Sequence, residues 1–169
     1  RAVKFHIVKD TANIRKYQIR ANWEATQKYE LLIPAGVFSN VAQEQNDTLK
    51  YSYTGSDPNK YAIVKVNVRN GRPRAHYILQ LTDKSGKTQK EIFNATNGSY
   101  VFEYVSAGEA MLRVVEDINA NGKWDTGDMV LMRQPERTEI YKNEEGLEVI
   151  TTKENWEYDL EVDMDKLFA

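Results

Sequence analysis

Twelve consecutive residues concentrate oxygen-bearing side chains: Asp117-Ile-Asn-Ala-Asn-Gly-Lys-Trp-Asp-Thr-Gly-Asp128. In a twelve-residue calcium loop, oxygen ligands occupy positions 1, 3, 5, 7, 9 and 12, and a glycine at position 6 makes the sharp turn. Gly122 is the sixth residue of this stretch. The residues at the ligand positions are Asp117, Asn119, Asn121, the backbone carbonyl of Lys123, Asp125 and Asp128. Because every donor is an oxygen, the sequence predicts a Ca²⁺-binding loop.

The ligand set predicts weak binding. Position 12 is Asp128 rather than glutamate, whose longer side chain normally reaches the ion through both oxygens, and two donors are neutral asparagines. We expect a dissociation constant of about 10⁻⁵ to 10⁻³ M, which suits a calcium-rich exterior, and a stiffening role rather than a catalytic one. The alternative is a metal-free turn, in which Asp and Asn side chains bond to nearby backbone and Asn121-Gly122 supplies the left-handed turn.

The segments on either side of this loop are predicted as strands. They are Leu112-Arg-Val-Val115 and Met129-Val-Leu-Met132. The loop therefore joins strands, unlike the loop of a helical calcium sensor. Trp124 lies inside the polar loop, where it either caps the core or is presented to a ligand.

Other residue groups carry weaker chemical signals. Ser85-Gly-Lys-Thr88 resembles the end of a phosphate-binding loop, but Leu81 occupies the place of the required first glycine, so a β-turn is favoured. His6 and His76 lie far apart in the sequence without a neighbouring histidine, which favours two strand-surface residues over a metal site or catalytic triad. The acidic residues of the final strand are predicted as a solvated face rather than as a glycosidase pair.

The composition indicates a soluble globular protein, with 41% hydrophobic and 28% charged residues. A net charge of -2 argues against nucleic-acid binding, which needs a clustered basic surface. No apolar run approaches the about 20 residues of a membrane-spanning helix. The absence of cysteine excludes disulfides and Cys-ligated zinc. Because Arg1-Ala-Val-Lys-Phe5 carries neither an initiator Met nor a signal-peptide pattern, we expect an excised or processed piece.

Alternation of apolar and polar residues at period two dominates the chain, and no segment has a helical stripe. The predicted buried faces of the second half are Ala62, Val64, Val66 and Val68; Tyr77, Leu79 and Leu81; Tyr100, Phe102 and Tyr104; Ala110, Leu112 and Val114; and Trp156, Tyr158, Leu160, Val162 and Met164. Earlier strands are predicted around Phe5, Ile19, Leu31 and Tyr51. Short strands separated by regular turns predict an antiparallel β-sandwich.

The chain is predicted to form two units. Gly55-Ser-Asp-Pro-Asn59 combines flexible and turn-forming residues, so we place the boundary there, with units at 1–55 and 56–169. The first unit is small for an independent sandwich. Most aromatic residues, Trp23 and Trp156 included, occupy the apolar phase of their strands and are predicted to lie in the core.

Residues 108–136 resemble the C-terminal module of a family of Ig-like-domain surface proteins from Bacteroidota. That module is similar in pattern to transthyretin-like and collagen-adhesin B-type sandwiches, in which a Leu-Arg-Val-type strand leads into an Asp/Asn-rich loop. Ala107-Gly108 stands where the family usually has Pro-Gly. Tyr77-Ile-Leu-Gln-Leu81 and Asn155-Trp-Glu157 also match the module.

The first unit resembles the closing half of an S-layer-type bacterial Ig-like domain, through Tyr29-Glu-Leu-Leu-Ile-Pro-Ala-Gly-Val-Phe38 and Asn46-Asp-Thr-Leu49. The resemblance implies an all-β fold of two Ig-like or prealbumin-like antiparallel units: 1–55 as the C-terminal part of an Ig-like domain and 56–169 as a transthyretin-like module. It also implies a cell-envelope location, as an outer-membrane lipoprotein or exported extracellular protein anchored through an upstream segment. Asp10-Thr-Ala12 and Asp47-Thr-Leu49 resemble the short O-glycosylation signal of exported proteins in that phylum.

The family has no well-defined activity, so the resemblance bears on location and architecture. We expect a non-catalytic cell-surface structural or adhesion module with a calcium-type loop, whose partner is a protein or a glycan. The alternative is an accessory glycan-binding domain of a polysaccharide-capture system, for which exposed aromatics around Trp124 would be the discriminating feature. A hydrolase would need a concave pocket holding two carboxylates at catalytic separation, whereas the predicted acidic side chains lie along a strand face.

Overall fold

The computed structural model describes residues 2–9 and 16–169, and the regular secondary structure of these residues is almost entirely β-strand. The all-β prediction is confirmed. The Asp10-Thr-Ala12 triplet lies outside the described residues. The chain separates into two units, Arg1–Asp57 and Pro58–Ala169, and each is described by itself. Within the described ranges, none of the helices has the length and apolar character that a membrane crossing requires.

The first unit consists of two antiparallel strand pairs. Strand β1 (Phe5–Lys9) pairs with β2 (Tyr17–Ala21), and β3 (Lys28–Ile33) pairs with β4 (Leu49–Thr54). None of the described residues in this unit is fully buried. This agrees with the expectation that so short a segment has too little apolar area for a core of its own.

The second unit contains two larger sheets. Its elements are β5 (Tyr61–Arg69), β6 (His76–Thr82), β7 (Thr88–Ala95), β8 (Gly98–Ser106), β9 (Gly108–Asp117), β10 (Thr138–Ile140), β11 (Ile150–Thr152), β12 (Glu157–Asp163) and α1 (Met164–Leu167). One sheet has the order β10-β9-β6-β7, with β11 also paired to β9. The other has the order β12-β5-β8.

The core lies between these two sheets and is built from alternating strand positions. Val64 and Val66 of β5, Leu79 of β6 and Leu112 and Val114 of β9 are all 0% exposed and belong to one hydrophobic cluster. Period-two alternation points every second side chain to one face of a strand, so the sequence pattern placed these residues correctly. The second unit is therefore a β-sandwich with a continuous apolar core.

One strand pair departs from the predicted antiparallel arrangement. Strand β12 runs parallel to β5, in a register that pairs Glu157 with Ile63 and Asp163 with Arg69. Hydrophobic alternation carries no information about strand direction, so the sequence pattern could not distinguish the two arrangements. Asp163 then caps α1, and the bond from the Lys166 backbone N–H is the main cause that lowers the pKa of its carboxyl group.

Two predicted core residues of the second unit are exposed instead. Tyr104 is 46% exposed because β5 and β8 lose register between Ala62 and Val64, where the strand β8 accommodates one extra residue. Such a β-bulge turns the side chains that follow it to the opposite face. Trp156 is 54% exposed and lies in the turn segment that precedes the first residue of β12.

The position of Leu79 in the core predicts that its truncation lowers the free energy of unfolding far more than truncation of an exposed leucine. Leu79→Ala should lower the free energy of unfolding by about 2–5 kcal/mol, because it leaves a cavity between the sheets. Leu131→Ala, at a side chain that is 71% exposed, should change it by no more than about 0.5 kcal/mol. Urea unfolding followed by circular dichroism measures both values. Equal losses in the two variants would contradict the assignment of Leu79 to the core.

Candidate cation-binding loop

Strand β9 delivers the first residue of the loop in a fixed position. Asp117 ends β9 opposite His76 of β6, and it is only 1% exposed. Its carboxylate accepts the backbone N–H of Asn121 at 3.1 Å on one oxygen and that of Gly122 at 2.8 Å on the other. Gly122 has φ +73, a conformation that glycine adopts at low cost. A buried carboxylate thus bends the chain back onto the strand end.

The next three polar side chains converge on one another. Asp125 Oδ2 accepts the side-chain amide of Asn119 at 2.6 Å and that of Asn121 at 2.9 Å. The amide oxygens of these asparagines accept backbone N–H groups, from Asn121 at 3.0 Å and from Lys123 at 2.8 Å. The structure therefore brings the side chains of Asn119, Asn121 and Asp125 into direct contact.

Glu136 closes the loop, although it is not among the ligands predicted from the sequence. Its carboxylate accepts the backbone N–H of Ile118 on Oε1 and of Asp125 on Oε2, both at 2.9 Å. Its backbone carbonyl accepts the indole N–H of Trp124 at 2.9 Å, and its own N–H donates to the Asp125 carbonyl at 3.1 Å. Glu136 is 6% exposed. Nothing local in the sequence distinguishes it from the other acidic residues, because its partners lie more than ten positions away.

Asp128, unlike the other predicted ligands, forms its hydrogen bonds with the turn that follows the loop. Its Oδ1 accepts the backbone N–H groups of Val130 at 2.9 Å and Leu131 at 3.1 Å, and its backbone bridges Arg133. The strand predicted over Met129–Met132 is wrong: these residues form a turn, and their side chains are 71–96% exposed. A carboxylate that captures two successive N–H groups stabilises a turn against a strand.

The oxygen donors of the loop suit a hard cation. Because these oxygens already accept hydrogen bonds, we expect the cation to bind weakly. The cluster mixes two carboxylates, Asp117 and Asp125, with two amides, Asn119 and Asn121, which are all oxygen donors of the kind that calcium binds. No group of three or more His, Cys, Asp or Glu residues suited to a metal ion occurs within residues 2–9 and 16–169. A calcium ion would have to draw amide oxygens away from backbone N–H groups. The binding free energy is reduced by the loss of those bonds.

The tryptophans and histidines considered as candidate site residues do not form one cluster among the described residues. Trp124 is 50% exposed, with its indole N–H held by Glu136. Trp23 is also 50% exposed, so its predicted place in the core is wrong; it lies between β2 and β3, outside a covered sheet face. His6 lies on the exposed strand β1, as predicted. His76 is partly buried beside Asp117, and its Nδ1 has no hydrogen-bond partner among the described residues.

No family model matches the chain, and no curated protein matches it significantly.

The bonding of Glu136 predicts a local effect of its removal. Glu136→Ala orphans the N–H groups of Ile118 and Asp125, at a cost of about 1–3 kcal/mol for each group that stays buried. Both amides should exchange faster with solvent deuterium in the variant, as measured by NMR. Glu139→Ala, an exposed glutamate on β10, is the matched control and should leave both rates unchanged. Unchanged exchange in Glu136→Ala would show that Glu136 does not hold the loop.

Proposed function

We propose that the chain is a non-catalytic structural and interaction module of a cell-surface protein, and that the loop 117–128 binds calcium weakly and is stiffened by it. The observation that supports the calcium proposal is the convergence of Asp117, Asn119, Asn121 and Asp125 within one hydrogen-bonded loop. The carbonyl of Lys123 and the carboxylate of Asp128 complete the proposed ligand set. To coordinate the ion, the Asp128 carboxylate would have to give up its hydrogen bonds to the Val130 and Leu131 N–H groups.

The pairing of the acidic residues on β12 supports a non-catalytic role. Glu157 contacts Lys65 at 2.5 Å, and this hydrogen bond is the main cause that raises the pKa of the lysine. Glu161 contacts Arg69 at 2.9 Å and accepts the Asn67 side-chain amide, also at 2.9 Å. These carboxylates link β12 to β5 along the open face of a sheet. A glycosidase instead needs two carboxyl groups facing each other across a substrate.

The proposed location rests on the resemblance to Bacteroidota Ig-like surface proteins. It places the chain in the cell envelope, as part of an outer-membrane lipoprotein or an exported protein with an adhesion or spacer role. Thr48 of the Asp47-Thr-Leu49 triplet is exposed in the segment before β4, so a glycosyltransferase could reach its hydroxyl group. The partner is a protein or glycan at the cell surface.

Glycan capture is the second candidate function, because each of the three tryptophans keeps half or more of its side chain exposed. The described ring contacts do not place a second aromatic ring against Trp124. Phe93, which is 47% exposed, lies beside Gly122 of the loop. Exposed aromatic rings do meet elsewhere in the second unit.

Calcium titration by calorimetry tests the proposed function. Protein stripped with EDTA should release or absorb heat that saturates at one site, with a dissociation constant of about 10⁻⁵ to 10⁻³ M. The double variant Asp117→Ala and Asp125→Ala should lose the heat, whereas Asp159→Ala on the open face of β12 should retain it. If no binding heat appeared at calcium concentrations well above the millimolar range, 117–128 would be a metal-free turn and the calcium proposal would be refuted.

A further inference from the structure

A small groove opens where β5 begins, beside β8 and the segment before β12. Its volume is about 220 Å³, and its lining includes Tyr61, Tyr104, Trp156, Glu103 and Asn155. We propose that this groove binds one ring of a neutral carbohydrate. The proposal gives a ligand class to the interaction function proposed above, and it is independent of calcium binding at the loop.

The aromatic rings of the groove are arranged for stacking. Tyr61 and Tyr104 meet at 5.5 Å between ring centroids with an angle of 68° between their planes, so they form a corner. Tyr104 is 46% exposed and Trp156 is 54% exposed. The C–H faces of a sugar ring are apolar and pack against aromatic surfaces of this kind. The exposed Tyr104 ring is therefore available to a ligand, whereas the Trp156 ring also stacks on Tyr158 at 6.3 Å and offers a ligand only its remaining exposed surface.

The position of Tyr104 is maintained against backbone strain. In the register shift between β5 and β8, Ile63 faces two residues of β8, Glu103 and Tyr104, which are both exposed. Tyr104 has φ +54, in the left-handed region that bulky side chains disfavour. Strained residues of this kind concentrate at binding sites, and bulges commonly redirect a side chain there. A function for the exposed ring explains why tyrosine rather than glycine occupies this position.

Backbone hydrogen bonds hold the groove residues Asn155 and Trp156 against the start of β5. The Asn155 N–H donates to the Tyr61 carbonyl at 3.0 Å, and the Ile63 N–H donates to the Trp156 carbonyl at 2.9 Å. These two bonds fix the segment before β12 against the start of β5. A site that is ordered before the ligand arrives loses less conformational entropy on binding.

The polar groups and the size of the groove favour a neutral sugar over a cation. Glu157 is already paired with Lys65, and the Lys153 ammonium lies 4.8 Å from the centroid of the Trp156 ring. The cation-binding capacity of these groups is thus partly satisfied within the chain. Glu103 and the Asn155 amide remain suited to sugar hydroxyls. The groove is smaller than the about 300–1,000 Å³ of typical ligand pockets, which favours a single ring.

The test is an NMR titration of the full chain, labelled with ¹⁵N, using the methyl glycosides of glucose, galactose, mannose and N-acetylglucosamine. At least one glycoside should shift amide signals at Tyr61, Tyr104 and Trp156, with a dissociation constant of about 1 mM. EDTA should not change this binding. Failure of the calcium titration and failure of the sugar titration are therefore separate results.

Two variants assign the binding to the groove. Tyr104→Gly removes the ring while relieving the positive φ, so the fold should persist and the affinity should fall by about tenfold or more. Trp124→Ala, in the loop, is the matched aromatic control and should bind as the parent does. If Tyr104→Gly is unfolded by circular dichroism, Trp156→Ala takes its place with the same expected loss.

Three results would overturn the proposal. The first is the absence of shifts with all four glycosides. The second is saturation of the groove signals by tetramethylammonium chloride without any response to sugars, which would assign a cation site. The third is binding that survives in the groove variants or disappears in Trp124→Ala.

Discussion

The parallel pairing of β5 with β12 is the interaction on which the rest of the second unit depends. It joins the first and last long strands of that unit and places Leu160 and Val162 in the core beside β5. The segment that follows β12 carries Phe168, which stacks on Tyr77 of the opposite sheet at 6.1 Å. Arg137 directly follows Glu136, which closes the candidate loop. Its guanidinium lies 5.0 Å from the centroid of the Phe168 ring. The same strand therefore supports the groove at one end and the loop side of the sandwich at the other.

The loop shows how buried carboxylates set a local geometry. Burying an ionised carboxylate is unfavourable unless its oxygens are hydrogen-bonded or paired. Asp117 and Glu136 are satisfied by backbone N–H groups, and Glu116 is satisfied by Arg72 at 3.0 Å. Each of these bonds has a direction, so together they specify one course of the chain. This explains why a polar segment can hold an ordered shape at the end of β9 in the absence of an apolar core of its own.

The sequence predicted the parts of the fold that depend on local periodicity. The buried faces of β5, β6 and β9 follow directly from alternation, and the polar residues of 117–128 stand out in the sequence because their spacing is local. Tyr104 was misplaced because a bulge depends on the register between two strands. The Met129–Met132 turn was misassigned because the Asp128 carboxylate outweighs the strand preference of four apolar residues. The parallel direction of β12 and the role of Glu136 depend on long-range contacts that no local pattern contains.

Native-state hydrogen exchange of the full chain tests the dependence on the β5–β12 pair most directly. We expect the slowest amides of Glu157–Asp163 to open together with those of Tyr61–Arg69, at the free energy of unfolding of the whole second unit. Opening of the β12 amides at a much lower free energy, while those of β5, β6 and β9 stay protected, would contradict this dependence. In that case β12 would be a peripheral strand, and the groove and loop would be held by other contacts.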